Sequence, residues 1–313
     1  MGKIKILKPG LLSTIQDLGR VGYQQFGMPV SGAMDTHALQ MANLLVGNKP
    51  SDACIEATLM GPEIEFMTDA QIGLAGALSD VTINNIPVDA FTNHLVKKGD
   101  VLKTDIFKQG SRLYIAIAGG FDVPVVMGSQ STYLRGKLGG YGGRALQEGD
   151  EIEIGKGRAI CQRRLNPDCL LLPQNTNTIN VIAAIESEAF TLAGITNFLS
   201  ENYTVSSQSD RMGYRLNGPH IAHRHGADIL SAGIANGTIQ VPAHGEPIIM
   251  LADRQTIGGY TKIANVISAD LPLLGQMKAG DKIRFKEVRL DEAHRLLREQ
   301  NEMLLRAITA QNN

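Results

Sequence analysis

The chain has 313 residues, is 43% hydrophobic and 19% charged, and carries 30 basic against 31 acidic side chains for a formal net charge of -1. That length holds two ordinary domains or one large one with a substantial core, and the near-neutral balance gives no electrostatic basis for binding nucleic acid or an anionic membrane. The 34 glycines beside 8 phenylalanines and no tryptophan indicate a globular chain with many tight turns and a lean toward β structure.

The N-terminal MGKIKILKPG lacks the apolar core of a signal peptide, and Ile6 stands where a myristoylation pattern needs Ser or Thr. No apolar run reaches spanning length. Cys54, Cys161 and Cys169 are widely spaced and read as buried or spectator thiols rather than a disulfide framework. A soluble, cytoplasmic protein is expected.

Residues 3 to 7 alternate and predict a first strand, stopped by Pro9-Gly10. Leu12 to Tyr23, with two glycines, predicts loop and turn. Met34 to Val46 predicts a helix: Ala38, Met41, Ala42, Leu45 and Val46 fall at helical spacing, with Ser31 or Asp35 as cap and Gly47-Asn48 as stop. From Ala53 to about Ile160 short apolar runs alternate with turns, Asn84-Asn85 among them, which predicts antiparallel sheet or barrel.

Residues 128 to 143, GSQSTYLRGKLGGYGG, are too glycine-rich and polar for an ordinary connection. They read either as a binding loop, offering Tyr133 and Arg135, or as a floppy surface loop. The Gly-Lys-Ser/Thr ending of a phosphate loop is missing.

Residues 163 to 178 carry two prolines and an Asn/Thr run, and a domain boundary is expected there. This divides the chain into a first domain (1–165), a second (166–290) and a C-terminal amphipathic helix (291–313). A strand at Asn180 to Ile185 and a helix at Thr191 to Leu199 follow. Ser206 to Pro219 is polar and turn-rich and holds Arg211, Tyr214 and Arg215. His220, His223 and His225 have a spacing that could suggest zinc, but Arg224 lies between them and no carboxylate is near until Asp228, so no metal is assigned.

Val241 to Val266 is the most informative stretch. A turn around Pro242, His244, Gly245 and Pro247 leads into the apolar run Ile248 to Leu251, and the polar cluster Asp253, Arg254, Gln255 and Thr256 follows before Gly258-Gly259-Tyr260. A carboxylate, a guanidinium, an amide and a hydroxyl at a strand end suit recognition of a small polar ligand. The alternative is a solvated corner.

The two halves echo each other. Arg20-Val21-Gly22-Tyr23 matches Arg211-Met212-Gly213-Tyr214, Val30-Ser31-Gly32 matches Leu230 to Gly233, and Cys54 to Phe66 matches Thr238 to Leu251. The separation shortens by about one helix past Met34–Val46, as if the second copy of a duplicated β-rich unit lacked it.

KPGLLSTIQDLGRVGYQQFGMPVSGAMD, AGGFDVPVVMGSQSTYLRGKLGGYGGRAL, SDRMGYRLNGP and VPAHGEPIIMLADRQTIGGYTKIANV, with LLVGN at Leu44 to Asn48, together resemble the carboxyltransferase C/D-domain family, over about residues 3 to 287. That family includes the C-type component of bacterial 5-oxoprolinase, KipA-type proteins and the "allophanate hydrolase subunit 2" proteins. The resemblance implies a mainly β fold with a few helices, built as two intertwined cyclophilin-like β-barrel domains related by internal duplication. It also implies a B-type (KipI-like) partner protein.

Function divides within the family. Members similar to the C-type component of 5-oxoprolinase act with A- and B-type subunits to open 5-oxo-L-proline to L-glutamate with ATP, and this is the preferred reading. Fused members transfer carboxylate from carboxybiotin to urea, and KipA-type members bind and antagonise a histidine-kinase inhibitor. The chain holds no biotin-carrier Met-Lys-Met segment and no ATP-grasp portion, so ATP is expected in the complex and no biotin on this chain.

An activated lactam and a carboxylate call for cations and a dry pocket. Arg211 and Arg254 are assigned to the anion and Arg135 to the loop side. Asp253 or Asp17 could orient an arginine or act as base, and His244 is a second base candidate. Ser31, Tyr133, Gln255 and Thr256 would supply hydrogen bonds, and the repeat positions Arg20 and Tyr214 complete the set. Tyr23 and Tyr214 read as core corners rather than catalysts, and Asp35 reads equally as a helix cap.

Overall fold

In a computed structural model describing residues 2–310 the chain is mainly β. The described residues include four α-helices: α1 (Thr36–Leu45), α2 (Leu192–Ser200), α3 (Leu271–Gly275) and α4 (Leu290–Arg306). Backbone contacts divide the chain into two compact units. The first takes residues up to Val21, Ser31–Leu172 and those from Asn301 on; the second takes Gly22–Val30 and Pro173–Gln300.

In the first unit the alternating N-terminal run is the strand Gly2–Lys8, with Ile4 and Ile6 fully buried while Lys3 and Lys5 stay partly exposed. It lies in a six-stranded sheet ordered Glu151–Ile154, Gly2–Lys8, Glu63–Phe66, Val101–Thr104, Val81–Ile83, Ile86–Pro87. A five-stranded sheet runs Leu12–Gln16, Cys54–Thr58, Gln109–Ile117, Ala70–Leu78, His94–Val96. Ile4, Ile6, Ile64 and Phe66 from one sheet share a core with Ile15, Ile55, Ile72 and Ile115 from the other.

Side-chain alternation along Gln109–Ile117 sends Leu113, Ile115 and Ile117 into that core and turns Tyr114 and Ala116 toward α1. Leu39, Met41, Ala42 and Leu45 of α1 are fully buried there. Asp35, not Ser31, caps this helix, its Oδ1 accepting from Ala38 N at 2.8 Å.

Leu12–Gln16 is a strand where the sequence predicts loop. Its polar residues misled the periodicity, because Ser13, Thr14 and Gln16 are buried and bonded internally, Ser13 Oγ to Pro9 O at 2.6 Å for instance. Asn84 and Asn85 do turn a hairpin, both in the left-handed region (φ 54° and 62°).

The second unit is a closed barrel ordered Asn177–Ala183, Lys262–Val266, Thr238–Gln240, Ile248–Met250, Gly213–Asn217, Asn202–Val205, Lys282–Glu287. It closes through the parallel pairing of its last strand with its first, Asn177 opposite Ile283. Phe198 of α2 stacks on Phe285 with ring centroids 4.4 Å apart, and Thr191 caps α2 through Gly194 N. A separate ribbon pairs Asp228–Gly233 with Ile257–Tyr260. The echoed segments are strand–turn–strand in both units, though Thr238–Gln240 pairs with Ile248–Met250 while Cys54–Thr58 and Glu63–Phe66 lie in different sheets.

Residues 128 to 143 form a compact knot within the first unit. Tyr133 and Leu138 exchange backbone hydrogen bonds of 2.8 and 3.2 Å, and Thr132 N reaches Ile15 O at 2.9 Å. Gly139, Gly140, Gly142 and Gly143 all have positive φ. A Cβ on Gly143 would stand 2.2 Å from the backbone of Lys137. The glycines therefore serve close approach rather than looseness. Gly143→Ala is expected to cost about 2 kcal/mol or more in chemical denaturation; an unchanged midpoint would mean that the loop is slack after all.

Candidate functional site

The polar cluster of the second unit is set by strand pairing. Gly213–Asn217 pairs with Ile248–Met250, and the ladder continues past both strands as Leu251 N donates to Met212 O and Asp253 N to Arg211 O, each at 2.9 Å. This brings Arg211 beside Asp253 although they are 42 residues apart in sequence. Arg211 Nε and Nη2 donate to Asp253 Oδ2 and Oδ1 at 2.9 and 3.3 Å, with the two residues only 7% and 5% exposed. The two charges neutralise each other in a forked, buried pair.

Arg254 is different. It is 6% exposed, yet its guanidinium donates only to backbone carbonyls, Nε to Ile234 O at 3.1 Å and Nη1 to Leu251 O at 3.2 Å. Among the described residues no carboxylate lies within ion-pair distance of it, and burial alone pulls its pKa below the ordinary arginine value. An arginine keeps its proton in such surroundings, so a positive charge stays desolvated without a counter-ion. Gln255 beside it is exposed and Thr256 half-buried, with Thr256 O accepting from Ile234 N at 3.0 Å.

Tyr214 is buried, and its hydroxyl donates to Met277 O at 2.9 Å, which makes it a corner of the barrel core. His244 stands on the turn after Thr238–Gln240, its side chain 54% exposed and 3.9 Å from Glu246. His223 Nε2 is engaged with Val241 O and Thr261 Oγ1 at 3.1 and 3.0 Å. No cluster that could hold a metal occurs among the described residues.

The remaining predicted residues belong to the first unit. Asp17 ties its own loop to the glycine-rich one: Oδ1 accepts from Gly19 N (2.8 Å), Ser129 Oγ (2.6 Å) and Ser131 Oγ, and Oδ2 from Gln130 N (2.6 Å). Arg20 is fully buried and donates to Ser131 O. A Cβ on Gly139 would lie 2.1 Å from that same carbonyl oxygen, so glycine is required under the arginine. Ser31 is buried with φ 55°. Tyr133 is half-buried at the base of the loop tip, and Arg135 is exposed on it.

The structure also assembles a buried group that sequence reasoning missed. Tyr114 Oη donates to Glu56 Oε2 at 2.7 Å and accepts from Asp35 N at 2.8 Å, and Glu56 Oε2 also accepts from Met34 N at 2.9 Å. Arg112 Nε stands 3.9 Å from Glu56 Oε1. Burial, with the Glu56 carboxylate beside it, pushes the Tyr114 hydroxyl well above the usual tyrosine range. The legible signal was a carboxylate, Glu56, set in the apolar strand Cys54–Thr58. A cleft of about 570 Å³ lined by Thr68, Asp69, Gln71, Lys97 and Lys156 holds none of the predicted site residues.

Residues 26–287 match the family model described as "Carboxyltransferase domain, subdomain A and B". The chain belongs to this carboxyltransferase-domain family. It is 38% identical to the C-type component of 5-oxoprolinase from Haemophilus influenzae over 302 residues, covering 96% of each chain. It is 39% identical to the protein of the same name from Escherichia coli, covering 93% of each. Among solved structures it is similar to the urea amidolyase of Kluyveromyces lactis with TM-score 0.89 and 30% identity over 96% of this chain, which spans 20% of that one.

Asp253→Asn keeps the shape but leaves Arg211 buried opposite a neutral group, and is expected to cost about 3 kcal/mol in denaturant unfolding. Unchanged stability would mean that Asp253 is not the structural counter-ion of Arg211.

Proposed function

We propose that the chain is the C-type component of an ATP-dependent 5-oxoprolinase and acts with an A-type and a B-type (KipI-like) subunit to open 5-oxo-L-proline to L-glutamate. The observation that carries this reading is the end-to-end likeness to two proteins named as that component, covering at least 93% of each chain. No helix among the described residues is long and apolar enough to cross a membrane, which suits the cytoplasmic placement proposed with it.

The chemistry suits the site. 5-Oxoproline presents a carboxylate and a stable lactam. Arg254, buried and without a counter-ion, takes the carboxylate, and Gln255 and Thr256 beside it offer hydrogen bonds. Asp253 fixes Arg211 and so stiffens the same strand end. His244 is the base candidate on the turn before Ile248–Met250. ATP, bound by the assembled complex, supplies activation of the lactam oxygen. The glycine-rich loop is not its cradle, because Gly139, Gly140 and Gly143 are packed against their own loop. Likeness to the urea amidolyase favours a second reading, a carboxyltransferase component of a urea-type carboxylase; a KipA-type binding role is the third.

The test is glutamate release from 5-oxoproline and ATP by the co-purified three-protein complex, omitting each member in turn. Activity is expected to vanish without this chain. In the full complex Arg254→Ala should lower kcat/KM about 100-fold while the variant stays folded. Activity independent of this chain, or normal turnover by the variant, would overturn the proposal.

A further inference from the structure

The cleft of about 570 Å³ takes no part in the site described above, and every residue lining it belongs to the first unit. Its volume is that of a small-molecule site. Two sheet edges supply its walls: His94–Val96 ends the five-stranded sheet and Glu151–Ile154 ends the six-stranded one. Val96 and Ile154, both buried in the core between the sheets, give it an apolar floor. Leu95 also lines it and is 65% exposed, so apolar surface is left open to water there.

The remaining wall, residues 155–160, forms neither strand nor helix, yet it is fixed at both ends. Gly155 N donates to Gly120 O at 3.0 Å. A Cβ on Gly155 would stand 2.1 Å from Gly119 O, and one on Gly157 2.1 Å from Ala118 O. The segment therefore lies directly on that backbone and needs glycine at both places. At its far end the amide of Gln71, itself 4% exposed, donates to Ile160 O and accepts from Ile160 N, each at 3.0 Å. Between these anchors Lys156 lines the cleft, exposed, and among the described residues no carboxylate lies within ion-pair distance of it. The other two charges of the cleft cancel. Asp69 accepts from Lys98 N and from Lys97 Nζ, each at 3.0 Å, and these bonds, the Lys98 amide first, hold its carboxyl below the usual carboxylate range.

We propose that this cleft binds a small monocarboxylate with an apolar body, the carboxylate paired with Lys156 Nζ and the body seated on Leu95, Val96, Ile154 and Ala159. A single negative charge answers the one uncompensated cation, and the open apolar side chains answer a hydrocarbon body. The cleft shares no residue with the strand end that carries Arg254, and the inference holds whether or not the reaction proposed above does.

Calorimetric titration of the full chain with hexanoate, hexanamide and acetate tests it. Hexanoate is expected to bind about fivefold more tightly than hexanamide, which lacks the charge, and than acetate, which lacks the body. Lys156→Gln should bring hexanoate down to the affinity of hexanamide, and Lys156→Arg should keep the preference. Ala159→Phe, at another exposed lining position, fills the cleft and should abolish hexanoate binding while the melting temperature stays within about 2 °C of wild type. Absence of hexanoate binding up to about 20 mM, equal affinities for acid and amide, or a Lys156→Gln chain that still prefers the acid would overturn the proposal. So would a folded Ala159→Phe chain that binds hexanoate as the wild type does.

Discussion

A guanidinium cannot shed its charge on burial, so each buried arginine of this chain forces an answer from its surroundings. Arg211 and Arg254 lie at the same strand end of the second unit, and the barrel's ladder answers them differently. The extra pairing of Asp253 N with Arg211 O sets a carboxylate against the first. The second receives only the carbonyl oxygens of Ile234 and Leu251. A neutralised arginine is part of the frame. The other stays buried among neutral dipoles, 6% exposed.

The first unit meets the same constraint through hydrogen bonds. Asp17 gathers the glycine-rich loop, Arg20 holds Ser131 O, and Glu56 with Tyr114 occupies the amides at the start of α1. Asp17, whose carboxylate accepts from four donors, is the satisfied centre of that network and stiffens the loop. The left-handed glycines are its geometric counterpart, since their missing side chains let the loop fold onto its own carbonyls. Arg20 and Arg211, equivalent in the sequence echo, are both buried, and the turns carrying them both use an aspartate: Asp17 accepts from Gly19 N, Asp210 from Met212 N.

Much of the fold was legible because its signals are local. Ile4 and Ile6 alternate with lysines, α1 announces itself by spacing and by Asp35, and Asn84-Asn85 is hairpin chemistry. Leu12–Gln16 was lost because its polar side chains are buried, against the rule on which periodicity relies. The site divided along the same line. Asp253, Arg254 and Arg211 stood out as charges at strand ends, but the sequence could not say which arginine the aspartate would neutralise, because that depends on register across 42 residues. Glu56 and Tyr114 were missed because their bonds to each other and to the chain before α1 exist only once the five-stranded sheet and α1 have met. Family membership, in contrast, was carried by whole motifs and agrees with the match over residues 26–287.

The central claim is that the uncompensated charge of Arg254 recognises the substrate carboxylate. The most direct measurement compares equilibrium binding of 5-oxoproline with that of its neutral carboxamide, using the three-protein complex in wild-type and Arg254→Ala form. The account predicts that the wild type prefers the acid by about tenfold or more and that the variant binds both equally weakly. A variant that still discriminates acid from amide as the wild type does would contradict it.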